Sequence, residues 1–249
     1  MDVSSEPVDY DKLASHYDRY RDAEGIYSGR IAALADEVRA QHALELGAGT
    51  GNGAASLLRR HPCRLVCIEK SVQMIRAGRT KTVNAPWIQA DAERLPLRDS
   101  QFDYVYSIFM LHHLRTLETL MRECARVLRA GIAAFVTTTH EFIRSHPMNA
   151  YFPSFAPTDL ARFQPVEEVA ASLRTAGFIR LECCILRSEP VPIDARYVEK
   201  VAARFISTYE LIPRVEFVEG LSRLRRDVAT GRPLGTIAWE CACVWGYIE

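Results

Sequence analysis

The chain has 249 residues with 31 acidic and 31 basic side chains, a formal net charge of zero, so its composition gives no reason to expect the basic face that nucleic acid requires. No stretch approaches the roughly 20 apolar residues that span a bilayer, and the start Met1–Pro7 lacks the basic and apolar regions of a signal peptide; a cytoplasmic protein without membrane or nucleic-acid partners is expected. Seven cysteines, odd in number, irregularly spaced and without a C-x-x-C pair, point to neither a disulfide framework nor a zinc site, and no metal is expected.

In chain order, Tyr10, Leu13, Ala14, Tyr17 and Arg21 fall on one helical face. A short apolar strand ends at Glu45-Leu46, glycines alternate at 47, 49 and 51, and a helix begins at Ala54-Ala55-Ser56-Leu57-Leu58. Arg64–Ile68 reads as a second strand closed by Glu69, the next helix carries Met74, and Trp87-Ile88-Gln89 is a third apolar segment. Phe102-Asp103-Tyr104-Val105 opens a fourth strand, running from Tyr104 to Phe109. Leu117, Leu120, Met121, Cys124, Val127 and Leu128 form a stripe of helical period that Gly131 stops, and Ile132–Thr139 is the fifth strand. Strand and helix patterns alternating at this spacing predict a parallel sheet covered on both faces.

Beyond the fifth strand, His140–Pro165 is rich in proline and aromatic residues and reads as an irregular covering segment with short helices. A helix from Val166 stops at Gly177, and Ile179–Leu186 is a sixth strand. Two amphipathic helices follow, one carrying Val198, Val201, Ala202, Phe205 and Tyr209, the other Val215, Val218, Leu221, Leu224 and Val228; Gly235–Tyr247 is the last strand. Cys241 and Cys243 would share a face of it.

The chemistry concentrates at Glu45-Leu46-Gly47-Ala48-Gly49-Thr50-Gly51-Asn52-Gly53. Glycines let the chain turn sharply without Cβ atoms blocking a ligand, and the amides of the following helix attract negative charge. The dinucleotide fingerprint needs its third glycine where Asn52 stands. The run instead resembles the first motif of class I S-adenosylmethionine-dependent methyltransferases, E/D-x-G-x-G-x-G. The downstream order agrees with that family: Glu69 closing the second strand, Asp91-Ala92 after the third and F-D-x-V at the fourth. The N-terminal Tyr10-Asp11-Lys12-Leu13-Ala14-Ser15-His16-Tyr17-Asp18 resembles the Y-D-x-x-A-x-x-Y-D helix that closes over the cofactor in ubiquinone- and menaquinone-type members.

The resemblance implies a Rossmann-like α/β fold, a seven-stranded, mostly parallel sheet with helices on both faces, the last strand antiparallel beside the sixth. It implies one domain: a helical lid over residues 1–30, a cofactor-binding core over 31–139, and cap insertions for the acceptor over 140–165 and 190–232. It further implies S-adenosyl-L-methionine as cofactor, with Glu45, Gly47, Ala48, Gly49 and Gly51 at the methionine moiety, Glu69 at the ribose, Met74, Asp91 and Ala92 at the adenine, and Tyr17, Lys70, Ile108 and His113 completing the site. A group able to accept a proton would come from His112, His113 or His140, histidine being suited to proton removal near neutral pH; His146 and Glu141 are rivals, and the L-H-H-L run also fits mere support of the cofactor loop.

Ser107-Ile108-Phe109-Met110 stands where enzymes that methylate nucleobase amino groups carry D/N-P-P-Y/F, which disfavours that substrate. Aromatic residues around Tyr151, Phe152 and Phe155, with Tyr197, Phe205 and Tyr209, suggest an apolar or aromatic small-molecule acceptor, methylated directly without a metal. A monomer or homodimer is expected. Two other readings stay open at this point: a member that holds the cofactor without methylating, and a dinucleotide-dependent oxidoreductase.

Overall fold

Seven strands form the central sheet: β1 (His42–Leu46), β2 (Arg64–Glu69), β3 (Trp87–Gln89), β4 (Phe102–Ile108), β5 (Leu128–Thr137), β6 (Ile179–Arg187) and, after the two-stranded ribbon β7 (Val191–Pro192) and β8 (Thr236–Ile237), β9 (Glu240–Ile248). The order is β3-β2-β1-β4-β5-β9-β6, with β9 antiparallel to both its neighbours and the other pairings parallel. The computed structural model describes residues 10–13, 17–20, 24–82 and 84–249.

The helices are α1 (Tyr10–Leu13), α2 (Ser28–Glu37), α3 (Asn52–Arg60), α4 (Val72–Lys81), α5 (Leu117–Val127), α6 (His140–Ser145), α7 (Phe155–Leu160), α8 (Val166–Thr175), α9 (Ala195–Ala202), α10 (Thr208–Leu211) and α11 (Arg214–Ala229). Central strands are apolar on both sides, as a doubly covered parallel sheet requires. On one face Ile31 and Leu34 of α2, Leu57 of α3 and Ile75 of α4 pack with Trp87, Tyr104, Tyr106 and Trp245. On the other, Leu120, Met121 and Cys124 of α5 and Val169 and Leu173 of α8 pack with Leu44, Val105 and Phe135. A third apolar cluster, with Phe152, Phe155, Tyr197, Val201, Tyr209 and Phe217, lies in the insertions after β5 and β6. Strand order reverses between β1 and β4, so a crevice opens beyond their carboxyl ends, where sheets of this kind bind ligands.

Four sequence expectations are corrected. Gly131 does not stop a helix: α5 ends at Val127, β5 begins at once at Leu128, and Gly131 lies inside the strand at φ +137°, where a Cβ would overlap the Asp103 carbonyl. The glycine serves a close backbone approach at the irregular start of the β4–β5 pairing. The helix expected through Val198 and Tyr209 is two, α9 and α10, separated where Arg204 takes φ +50°. In α11 the inward face is Phe217, Gly220, Leu221 and Leu224, while Val215 and Val218 are exposed; Gly220 lets the helix approach Phe152 and the Tyr151 carbonyl, each 2.5 Å from where a Cβ would stand. Finally, Tyr17–Tyr20 form a turn rather than continuing α1; Ala14 and Arg21 of that expected face lie outside the described residues.

Candidate functional site

The loop after β1 is shaped by its glycines. Gly47 and Gly49 take φ +66° and +54°, and Gly51 caps α3 at +77°, backbone that residues with a Cβ adopt rarely. Their surroundings differ. A Cβ on Gly51 would press on Gly78 and Trp87, so this glycine lets α3 pack against α4, whereas the space over Gly49 is open. Gly49 is thus the point at which bare backbone faces open space.

A cavity of about 570 Å³ begins over this loop, lined by Glu45, Gly47, Ala48 and Gly49, passes Ile108 and Phe109 at the end of β4, and continues beneath the insertions to Phe142, His146, Phe155 and Trp239. Its size suits a cofactor's reactive end together with a small partner. Phe109, at φ +49°, holds a conformation costly for an aromatic residue, a feature that concentrates at functional sites. Tyr10, Tyr17 and Tyr20 close one side of the cavity.

Glu45 is 2 % exposed, and the Tyr106 hydroxyl donates to its Oε2 at 3.0 Å. Burial, opposed by that hydrogen bond and reinforced by the Glu69 charge, holds its carboxyl up at about 8. Glu69 orders the loop instead of standing open: its Oε2 accepts from Gly49 N at 2.9 Å and its Oε1 from Lys70 N at 2.8 Å and Ser71 N at 2.9 Å, occupying three of its roughly four acceptor directions. Asp91 caps its own turn through Glu93 N, 3.0 Å, and pairs with Lys70 Nζ, 3.1 Å, contacts that lower its pKa, the Glu93 amide foremost. Met74 and Ala92 are buried.

Tyr17, Glu45, Gly47, Ala48, Gly49, Ile108 and His112 therefore line one cavity, while Gly51, Glu69, Lys70, Met74, Asp91, Ala92, His113 and His140 do not. The histidines separate by their partners. His140 Nε2 donates to the Phe163 carbonyl at 2.7 Å, fixing the start of α6 against the cap. His113 Nε2 meets the Tyr10 hydroxyl at 2.7 Å, and burial, with the Arg162 charge, lowers its pKa to about 4. His112 stacks on Phe163, ring centres 4.1 Å apart. His146, deep in the cap, is depressed to about 3 by burial.

Sequence reasoning overlooked the ties of the N-terminal segment. Asp18 Oδ1 accepts from Thr50 Oγ1 at 2.6 Å and Asn52 Nδ2 at 2.9 Å, and its Oδ2 from Lys81 Nζ at 2.5 Å. Asn52, notable in the sequence only for not being glycine, is thus a donor that pins this segment to the loop. Asp11 accepts from Ser71 Oγ at 2.5 Å, and Glu24 pairs with Arg59 and Arg60 at 2.6 and 2.5 Å. The sequence sign of two of these ties is the acid that follows Tyr10 and Tyr17. Asp159, Arg162 and Thr208 form a further buried network on the cavity wall. Among the described residues no group of three or more histidine, cysteine, aspartate or glutamate side chains could hold a metal ion, and no helix is long and apolar enough to cross a membrane.

A crossover sheet with a glycine turn at its switch point and a lined crevice beyond it defines a nucleotide-type cofactor fold. Residues 44–136 match the family model described as "Methyltransferase domain". The chain is 34 % identical over 206 residues to malonyl-[acyl-carrier protein] O-methyltransferase of Geobacter sulfurreducens, covering 76 % of this chain and 77 % of that protein. It is 29 % identical over 220 residues to O-methyltransferase resE of Aspergillus sclerotiorum, 82 % and 76 % of the two chains. Among solved structures, a SAM-dependent methyltransferase from Aquifex aeolicus superimposes with TM-score 0.58 at 15 % identity over 98 % of this chain and 100 % of that one, a likeness of fold. The chain belongs to the S-adenosylmethionine-dependent methyltransferases.

Proposed function

We propose that the protein transfers a methyl group directly, without a metal, to an apolar or aromatic small molecule held beneath the insertions after β5 and β6. The observation that carries this reading is the continuity of one cavity from the open backbone at Gly49 to an aromatic wall of Phe142, Phe155 and Trp239. The site fits S-adenosyl-L-methionine at its methionine end: positive-φ glycines clear the approach, and buried Glu45, protonated in the unliganded fold at neutral pH, would give up its proton and ionise against a cationic amino group. Glu69 would take a ribose hydroxyl through its remaining acceptor direction. Asp91, Ala92, Lys70 and Met74 would border the adenine, and Tyr17 and Ile108 the sulfur. When bound, the cofactor supplies an electrophilic methyl group on a sulfonium.

What this chain's residues then have to do is align the acceptor and exclude water. Tyr10, Tyr17 and Tyr20 cover the loop, held by Asp18 and Asp11. If an acceptor must lose a proton, His112 is the one of His112, His113 and His140 on the cavity wall; His113 supports Tyr10 and His140 the cap.

The test is transfer of label from methyl-tritiated cofactor to a panel of phenols, hydroxyquinones and aliphatic amines, with and without a chelator. Transfer to the aromatic members, unchanged by chelation, is the expected result. Transfer confined to the amines, or abolished by the chelator, overturns the reading.

A further inference from the structure

We propose that His146 is a specificity-determining hydrogen-bond donor that selects flat acceptors bearing a carbonyl oxygen. This rests on the reading that the cavity beneath the insertions takes the acceptor.

His146 stands at the N-cap of the turn Pro147–Ala150, and its Nδ1 accepts from Met148 N at 3.2 Å. A nitrogen that accepts from a backbone N–H presents a lone pair, so in a neutral ring the proton resides on Nε2. Burial keeps the ring neutral, its pKa near 3. The side chain therefore has the wrong tautomer to take a proton at Nε2, and its remaining capacity there is to donate. Nε2 is buried and has no hydrogen-bond partner among the described residues, a condition that folded proteins rarely leave unanswered.

The surroundings say what would answer it. His146 is 3 % exposed and lines the cavity. Its ring stacks on Phe155, centres 4.6 Å apart, and meets Phe142 and Trp239 edge-on at 5.3 and 5.6 Å. Three aromatic neighbours hold the imidazole plane, and Nε2 lies closed off among them, so an acceptor oxygen reaches it as those rings give way on binding. They also make a wall on which a planar molecule stacks and against which a charged one would be poorly solvated. A carbonyl oxygen on a flat ring system meets both demands while the hydroxyl of the same molecule stays at the methyl donor; a simple phenol has only its reacting hydroxyl to offer.

The experiment compares the wild-type chain with His146→Phe and His146→Gln, each saturated with S-adenosylhomocysteine. The probes are 5-hydroxy-1,4-naphthoquinone and 1-naphthol, both neutral at pH 7, which share the fused-ring skeleton and the hydroxyl and differ in the carbonyls. Binding is read by quenching of tryptophan fluorescence, Trp239 being in the wall, and the KM and kcat of label transfer are read in parallel. The wild type should bind the quinone about tenfold tighter than naphthol, the upper reach of one neutral hydrogen bond. His146→Phe should erase that preference through KM, and His146→Gln, whose distal amide donates from nearly the same place, should restore most of it. His146→Met replaces the phenylalanine variant should the latter unfold on heating at a much lower temperature. Equal affinity of the wild type for both probes, binding of neither, or a preference that survives loss of the donor overturns the proposal. Failure of the wild type to bind S-adenosylhomocysteine would instead remove the site reading beneath it, and the proposal with it.

Discussion

Replacing Glu45 by glutamine should stabilise the protein, and by an amount that grows with pH. Glu45 is buried beside Tyr106, and its carboxyl titrates at about 8 in the fold against 4.5 ordinarily. Below pH 4.5 both the folded and the unfolded chain carry the proton and the group is neutral to stability. Above it the unfolded chain ionises while the fold stays protonated, so stability falls as pH rises, until the folded carboxyl also titrates near pH 8. At pH 7 the ceiling on this loss is about 3 kcal/mol. Glutamine keeps the acceptor for the Tyr106 hydroxyl and has no proton to lose. For a chain of this length the gain corresponds to roughly 6–10 °C in the unfolding midpoint at pH 7, vanishing near pH 4. Thermal unfolding of both proteins followed by circular dichroism at pH 4 to 8 makes the comparison. A difference independent of pH, or no stabilisation at pH 7, refutes the account of Glu45 as a buried, protonated carboxyl.

The acid limb should behave in the opposite sense. His113 titrates at about 4 in the fold against 6.5 ordinarily, so stability is lost as pH falls from 6.5 towards 4, and His113→Gln should flatten that limb in the same unfolding series. Asp18→Asn removes the ion pair to Lys81 and weakens the tie to Thr50. Because the pair is partly exposed, the global midpoint should move by no more than about 1 kcal/mol, while amides 17–20 exchange with deuterium markedly faster; unchanged exchange would show that Asp18 does not hold the segment. Gly131→Ala should cost about 4 kcal/mol or more, because it sets a Cβ on the Asp103 carbonyl at an unfavourable φ. A variant that unfolds within about 1 kcal/mol of the wild type would overturn the argument for that glycine.

Much of the parallel core could be read from the chain, because its cues are local. Leu44-Glu45-Leu46, Arg64–Glu69 and Trp87–Gln89 are apolar runs bounded by turn residues, and the stripe from Leu117 to Val127 has helical period. The errors fall where tertiary contacts decide. Nothing near Gly131 announces that Asp103, on the neighbouring strand, will come against its backbone, so a glycine after a helix is naturally taken for a stop. In α11 Leu221 and Leu224 are buried as expected, but Val215 and Val218 drew the stripe partly off the buried face, since apolar content cannot reveal that Gly220 is what permits close packing on Phe152. The ribbon of Val191–Pro192 with Thr236–Ile237 is too short to leave a pattern.

The site divides the same way. The glycines and Glu45 were legible because the loop's geometry is written in its own residues. The histidines were not, because their roles depend on partners distant in sequence: Tyr10 for His113, and the Phe163 carbonyl for His140. Asn52 matters through Asp18, on a segment whose position sequence could only suggest. The short strands and glycine spacing thus pointed to the loop end of the cavity, and the aromatic insertions were legible as a covering segment, while which of their side chains line the cavity depends on how they fold back over it.

A crystal structure of the protein with S-adenosylhomocysteine tests the central claim most directly. The account predicts the ligand along the 47–51 loop, its amino group at Glu45, its ribose at Glu69, and its sulfur facing the cavity between Ile108 and Tyr17. Calorimetry on the same material should show micromolar binding that is lost in Gly49→Val, a change that strains a φ of +54° and fills the space over the loop. Absence of the ligand from that loop, together with binding of a nicotinamide dinucleotide there, would contradict it.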